Sequence, residues 1–273
     1  FRITGFTNGV AFIENADNCT LAECDMQGSL GPAVMANKAT GIRLERVLIR
    51  EGHTNAVIGD LSKLSVDSCV FWSNRYAALR VERSDLFVSN SVIGAYGEGN
   101  FCYQLGTNVI FMANYNNLFV QNKAQIGSVD GLAYDKLPQW VKGTYYDRYS
   151  LSTPPLFYNP GLGDFHVRSI AGRYQPGSGF VLDVPTNTLS NFSPMIDLAA
   201  PKAAWSNEES PNGSRRNIGL YGNTREASKS NTNRWLLAIT AMSGGIVQGS
   251  TPLVWGYGGG IPSNEIVQLE YSY

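Results

Sequence analysis

The sequence predicts an all-β protein organised as a parallel β-helix, a solenoid of about 22–23 residues per coil. Three observations point there. First, a pattern of apolar, two residues, a small residue or Val, one residue, apolar recurs as Leu21-Cys24-Met26, Leu44-Val47-Ile49, Val66-Cys69-Phe71 and Val88-Ser91-Ile93, at intervals of 22–23. Self-similarity at this length marks stacked repeats. Second, Val, Ile, Leu and Phe alternate with polar residues over short runs, which is strand behaviour. Third, only 16% of residues are charged while glycines number 29, a balance that suits a turn-rich β protein better than a helical one.

Taken in order, residues 1–126 supply about six coils. Ala11, Ala33, Ala56 and Ala78, with Ala124 two periods on, form a second periodic series. A leucine-rich horseshoe shares the spacing but needs a helix or long crossover segment per repeat. Here the residues from Asn74 to Val81 read as turn then strand, and Asn74 alone sits where that repeat expects asparagine. The β-helix reading stacks Leu21, Leu44, Val66 and Val88 in one core column and Met26, Ile49, Phe71 and Ile93 in another. Cys24 and Cys69 share a repeat position with Val47 between them. Two strand spacings, roughly 9–10 Å, are too far for a disulfide. Cys19, Cys24, Cys69 and Cys102 show no C-x-x-C spacing and read as packed thiols.

The repeat breaks near Gly127. Residues 127–150 read as an inserted loop rich in aromatics: Tyr134, Trp140, Tyr145, Tyr146 and Tyr149. Such rings either cover apolar surface or form a platform on which sugar rings stack. Trp140, Tyr145, Tyr146 and Tyr149 are therefore the carbohydrate-binding candidates.

Residues 155–160 (Pro155-Leu156-Phe157-Tyr158-Asn159-Pro160), 163–169 (opening Gly163-Asp164-Phe165-His166) and 171–174 are followed by Pro194-Met195-Ile196-Asp197. The stretch from Asn212-Gly213-Ser214-Arg215-Arg216-Asn217 through Gly219-Leu220-Tyr221-Gly222 to Ser228 completes the series. Together these resemble the last coils and closing signature of right-handed parallel β-helix domains of the pectate-lyase-like superfamily, found in large secreted or surface bacterial proteins. The chain departs from that pattern at Leu198, where a small residue usually follows the Asp, and at Ser214, where Gly is common. The resemblance implies a β-helix over residues 1–174, a cap over 175–230 and a buried Asp197; it implies no activity. A cap is physically required, because an open coil end exposes sheet edge and apolar cross-section. Arg215 or Arg216 is the expected partner of Asp197. Residues 231–273 read as strands around Gly-rich turns and resemble the opening of an immunoglobulin- or fibronectin-like sandwich. Such a sandwich needs about seven strands, so the chain is expected to be a piece of a longer one.

The net charge of −1 advertises no basic face for nucleic acid, and no apolar run reaches membrane-spanning length. Candidate catalytic residues are few. Glu45 and Asp67 share a repeat position on consecutive coils, which puts their side chains about 5 Å apart on the outside. Paired carboxylates are what sugar hydrolysis needs. Arg43 and Arg80 lie on the same coils and complete the candidate set for a glycosidase or lyase. Solvated surface ion pairs explain them adequately without any chemistry. A calcium ion is conceivable for a lyase, yet no cluster of three carboxylates is legible, so no metal or cofactor is assigned. His166 reads as structural. The expectation is a secreted or cell-surface structural, adhesin-like module that contacts polysaccharide or another surface component and can self-associate through its coil ends. The alternative is a carbohydrate-active enzyme on an extended glycan.

Overall fold

The computed structural model describes residues 1–183 and 192–231, with the backbone of the strands Trp235–Ala238 and Trp255–Gly258. Residues 2–129 wind through about six turns of a parallel β-solenoid with three sheets. The first sheet holds Arg2–Thr4, Asp25–Gln27, Leu48–Arg50, Val70–Trp72, Val92–Tyr96 and Asn117–Gln121. The second runs from Val10–Ile13 through Val34–Asn37, Val57–Asp60, Ala77–Glu82 and Phe101–Leu105 to Gln125–Val129. The third holds Thr20–Ala22, Ile42–Glu45, Lys63–Asp67, Asp85–Ser89 and Ile110–Asn114.

The register carries the expected columns. Leu21 pairs with Leu44, Leu44 with Val66 and Val66 with Val88. Met26 pairs with Ile49, Ile49 with Phe71 and Phe71 with Ile93. All eight side chains are buried in one core, because each coil covers the apolar edge of the last. The alanine series holds only in part. Ala11 is exposed and pairs with Met35. Its place in the column belongs to Gly9, where an added Cβ would lie 1.8 Å from the Ala33 carbonyl oxygen. Phe101 pairs with Gln125 and Tyr103 with Gly127, so Cys102 and Ile126, not Ala124, continue the row of Ala78. The corners absorb an extra residue or two, and spacing alone does not locate them.

Each coil turns its corner with a residue in the left-handed region. Between the third and first sheets these are Glu23, Arg46, Ser68, Asn90 and Tyr115, with φ of 49–58°. None is glycine, although that region disfavours a side chain. Small polar residues just past the corner repay the backbone. Ser91 Oγ accepts from the Cys69 N–H at 3.0 Å, Asn116 Oδ1 from the Ser91 N–H at 3.0 Å, and Ser150 Oγ from the Asn116 N–H at 2.9 Å. Cys69 sits in this ladder, its sulfur accepting from the Val47 N–H at 3.4 Å. All four cysteines are free. Burial pushes the Cys69 thiol up to about 12 and raises Cys102 and Cys24 as well. Brief iodoacetamide treatment of the native chain at pH 8 is therefore expected to label Cys19 alone, read by peptide mass; equal labelling of Cys69 would overturn this placement.

Residues 127–150 are not a plain loop. Leu132–Tyr134 pairs antiparallel with Gln125–Val129, and Leu137–Thr144 is an α-helix. Pro138 starts the helix, and Leu137, Trp140 and Val141 give it an apolar stripe. That stripe plugs the end of the solenoid. Trp140 stacks on Tyr103 with ring centroids 5.8 Å apart and meets Phe111 and Tyr134 edge-on.

The closing segment is placed differently from expectation. Residues 155–174 are not coils, and 175–183 with 192–230 do not sit on a coil end. Instead they form a lateral layer on the outer face of the first sheet. Leu48, Val70 and Val92 point outward there and are buried with Phe157, Phe165, Met195, Ile196 and Ile218. The layer contains two short antiparallel pairs, Phe157–Asn159 with Asp164–Val167 and Arg173–Gln175 with Gly179–Val181. It hooks onto the solenoid corner: Gly219 N–H donates to the Asn90 carbonyl at 2.8 Å, and Ala200 N–H to Asn90 Oδ1 at 2.7 Å. Trp235–Ala238 and Trp255–Gly258 pair antiparallel. The remaining strand and turns expected in residues 239–273 lie outside the described residues.

Candidate functional site

Glu45 and Asp67 do pair side by side on the third sheet, and Arg43 is on the same strand as Glu45. Arg80 is not with them. It belongs to the second sheet, between Ile58 and Gln104, so that candidate falls on another face of the solenoid. The two carboxylates are also occupied. Arg46 Nη1 lies 2.5 Å from Glu45 Oε1. Asp67 Oδ1 accepts from Ser89 Oγ at 2.9 Å and Asn90 Nδ2 at 2.6 Å, and Asp67 Oδ2 faces Arg216 Nη1 at 3.2 Å. Arg216, buried and also bonded to Ser68, comes from the lateral layer. Asp67 is thus an anchor for that layer: Arg216, one of the two arginines expected beside Asp197, serves Asp67 instead, while the charge of the other, Arg215, acts on Asp197. Asp197 is buried as expected, its Oδ1 accepting from Ser230 Oγ at 2.8 Å.

The aromatic candidates divide. Trp140 is 0% exposed, its faces covered by the core and its Nε1–H donated to Asp147 at 3.2 Å, so it offers no stacking surface. Tyr146 is half-buried, edge-on to Phe111 at 4.8 Å. Tyr145 is 71% exposed and Tyr149 45% exposed, and these two remain available. Tyr149 stacks on Tyr115 at 5.5 Å and its N–H donates to Asn114 Oδ1 at 2.7 Å. Ile110 and Met112 are exposed on the outer face of the strand that ends at Asn114. Exposed apolar and aromatic side chains thus share the last strand of the third sheet and the segment bonded to it.

A second place emerges where the lateral layer meets the first coils. A cleft of about 560 Å³ lies between Arg46 and Leu48 on one side and Leu220, Tyr221, Arg225 and Glu226 on the other, beside Phe1. Behind it, Asp164 and His166 lie two residues apart in one strand, hence on one face. Asp164 Oδ1 is 2.7 Å from His166 Nδ1, and His166 Nε2 is 3.4 Å from Glu226 Oε2. The imidazole stacks on Tyr221, centroids 3.7 Å apart. Asp164 is partly desolvated, yet hydrogen bonds from the His166 ring and N–H hold its carboxyl below the usual range. Alternation made Asp164 and His166 readable as a pair; Glu226 carries no local signal, because only the layer's fold brings it there.

Among the described residues no group of three or more His, Cys, Asp or Glu is placed to hold a metal ion, and no helix is long and apolar enough to cross a membrane. Fold and site together define a parallel β-solenoid with a laterally docked layer. Comparison of the chain with protein-family models, curated proteins and solved structures finds no match to any of them.

Proposed function

We propose that this chain is a secreted or cell-surface structural module of adhesin-like type, a stiff rod that contacts polysaccharide. The observation that carries the reading is the exposure of Tyr145 and Tyr149, on a segment bonded through Asp147 and Tyr149 to the strand that also exposes Ile110 and Met112. Sugar rings present a C–H face to such surfaces and stack on open aromatic rings. The rod-like stacking of about six coils supports a spacer or display role. The antiparallel pair at Trp235–Ala238 and Trp255–Gly258 is compatible with the start of an immunoglobulin-like module. The acid pair Glu45 and Asp67 gives an enzyme little support, since each carboxylate already has an arginine.

The test is retention on insoluble and immobilised polysaccharides, measured by depletion from solution. Tyr145→Ala with Tyr149→Ala is expected to weaken retention at least tenfold, the loss usual when an interface anchor worth about 1.4 kcal/mol or more is removed. Retention unchanged in the double variant, with an unchanged melting temperature, would end this reading.

A further inference from the structure

The cleft at the first coils has polar groups that packing of the lateral layer does not consume. His166 is buried, and the ionised Asp164, which can only accept, takes a hydrogen bond from the Nδ1–H. Nε2 is then left buried, without a hydrogen-bond partner, and aimed at Glu226. Glu226, itself an acceptor, completes that nitrogen only by accepting from an Nε2–H, so the imidazole meets the two carboxylates as a donor at both ring nitrogens. Glu226 is half-exposed on the cleft wall, and its neighbour Arg225 is exposed and has no ion-pair partner among the described residues. The other charged side chains of the cleft are committed to each other. Arg2 binds Asp25 at 2.6 Å, and Arg46 binds Glu23 at 3.1 Å as well as Glu45. Leu48 and Leu220 add apolar wall.

This balance selects a class of ligand. The paired side chains cancel, and the two left over, Glu226 and Arg225, are one of each sign, so no surplus of side-chain charge favours an anion or a cation. What it offers is one carboxylate that accepts hydroxyl hydrogens, one guanidinium fork that donates to two oxygens, and an apolar wall. Those match the vicinal hydroxyls and C–H face of a sugar, and the volume of about 560 Å³ falls in the range of small-ligand sites. We propose that the cleft between the first coils and residues 220–226 is a binding site for a neutral oligosaccharide, held by Glu226 and Arg225, with His166 anchored on Asp164 to position the Glu226 carboxylate. The site is separate from Tyr145 and Tyr149 and does not depend on them.

The experiment is titration of the whole chain with cellohexaose, maltohexaose and mannohexaose, with hexagalacturonate as the acidic counterpart, followed by calorimetry and by the ¹⁵N resonances of the histidine ring. Saturable binding of at least one neutral hexasaccharide is expected, at least tenfold weaker in Glu226→Gln and in Arg225→Ala. Both side chains reach solvent, so melting temperatures should stay within a few degrees of the parent. The His166 Nε2 resonance should move at saturation in the parent and stay still in Glu226→Gln, a readout that a purely structural histidine would not give. Tyr145→Ala with Tyr149→Ala should leave this binding intact. The proposal is overturned if no neutral hexasaccharide binds, if hexagalacturonate binds more tightly than all three, if both cleft variants bind like the parent, or if the tyrosine variant alone abolishes binding.

Discussion

Trp140→Ala is expected to lower the stability of the chain by about 3–5 kcal/mol, the range for emptying a buried tryptophan site. The indole lies at 0% exposure over the last coil, stacked on Tyr103 and edge-on to Phe111. Its removal reopens the coil end, and a solenoid is held by neighbour-to-neighbour burial alone. A second loss follows from polarity. Asp147 is fully buried and accepts from Trp140 Nε1 at 3.2 Å, Ser150 Oγ at 2.6 Å and Asn116 Nδ2 at 3.1 Å. Burial raises its carboxyl against the pull of all three donors, so taking one donor away leaves it worse satisfied. Trp140→Phe separates the effects: the ring stays and the donor goes, for an expected loss of about 1–3 kcal/mol. Denaturant midpoints of the parent and both variants make the measurement. A loss below about 1 kcal/mol for Trp140→Ala would mean that the helix does not cap the core.

Raising the pH from 5 to 8 is expected to destabilise the lateral layer. Asp197 and Glu208 are buried there, and each is pushed up to about 7. For Asp197 desolvation dominates over the Ser230 hydroxyl and the Arg215 charge. For Glu208 desolvation again leads, opposed by the N–H groups of Asn223 and Asn217 and the Arg216 charge and reinforced by Asp197. One oxygen of each carboxyl has no hydrogen-bond partner. The sign follows from proton counts. In the unfolded chain these groups ionise near pH 4, so between about 4 and 7 the folded chain holds more protons. Stability then falls as pH rises through that window and levels off above 7, by on the order of 4 kcal/mol per group. The double substitution Asp197→Asn, Glu208→Gln removes both titrations and should flatten the profile and raise stability at pH 8. A parent more stable at pH 8 than at pH 5 would contradict the burial of these acids as charge-averse groups.

Much of the solenoid is legible in the chain because its core is one-dimensional. Leu21, Leu44, Val66 and Val88 repeat at the coil length, and a repeat of that kind has few ways to bury its apolar side except by stacking. The left-handed corners were not legible, since Glu23, Arg46, Ser68 and Tyr115 are not residues that favour positive φ; neighbouring coils hold them there. The covered face of the first sheet did leave a trace. Val47-Leu48-Ile49, Val70-Phe71-Trp72 and Val92-Ile93 are apolar at consecutive positions, as in a strand buried on both faces. What covers it could not be read, because Phe157, Phe165, Met195 and Ile218 show no periodicity that ties them to a sheet. The aromatic cluster was visible, but its division into the buried Trp140 and the exposed Tyr145 and Tyr149 depends on which way one short helix faces.

The sequence by itself determined the solenoid, its coil length, its core columns and the stacking of Glu45 on Asp67, since all are set by spacing. Tertiary structure alone decided that the closing segment lies along the side of the rod, that Asp67 serves Arg216, and that Glu226 meets His166 beside Arg46 and Leu48. Those contacts join residues far apart in the chain, and their free energy comes from apolar surface and charges that become neighbours only when the layer docks.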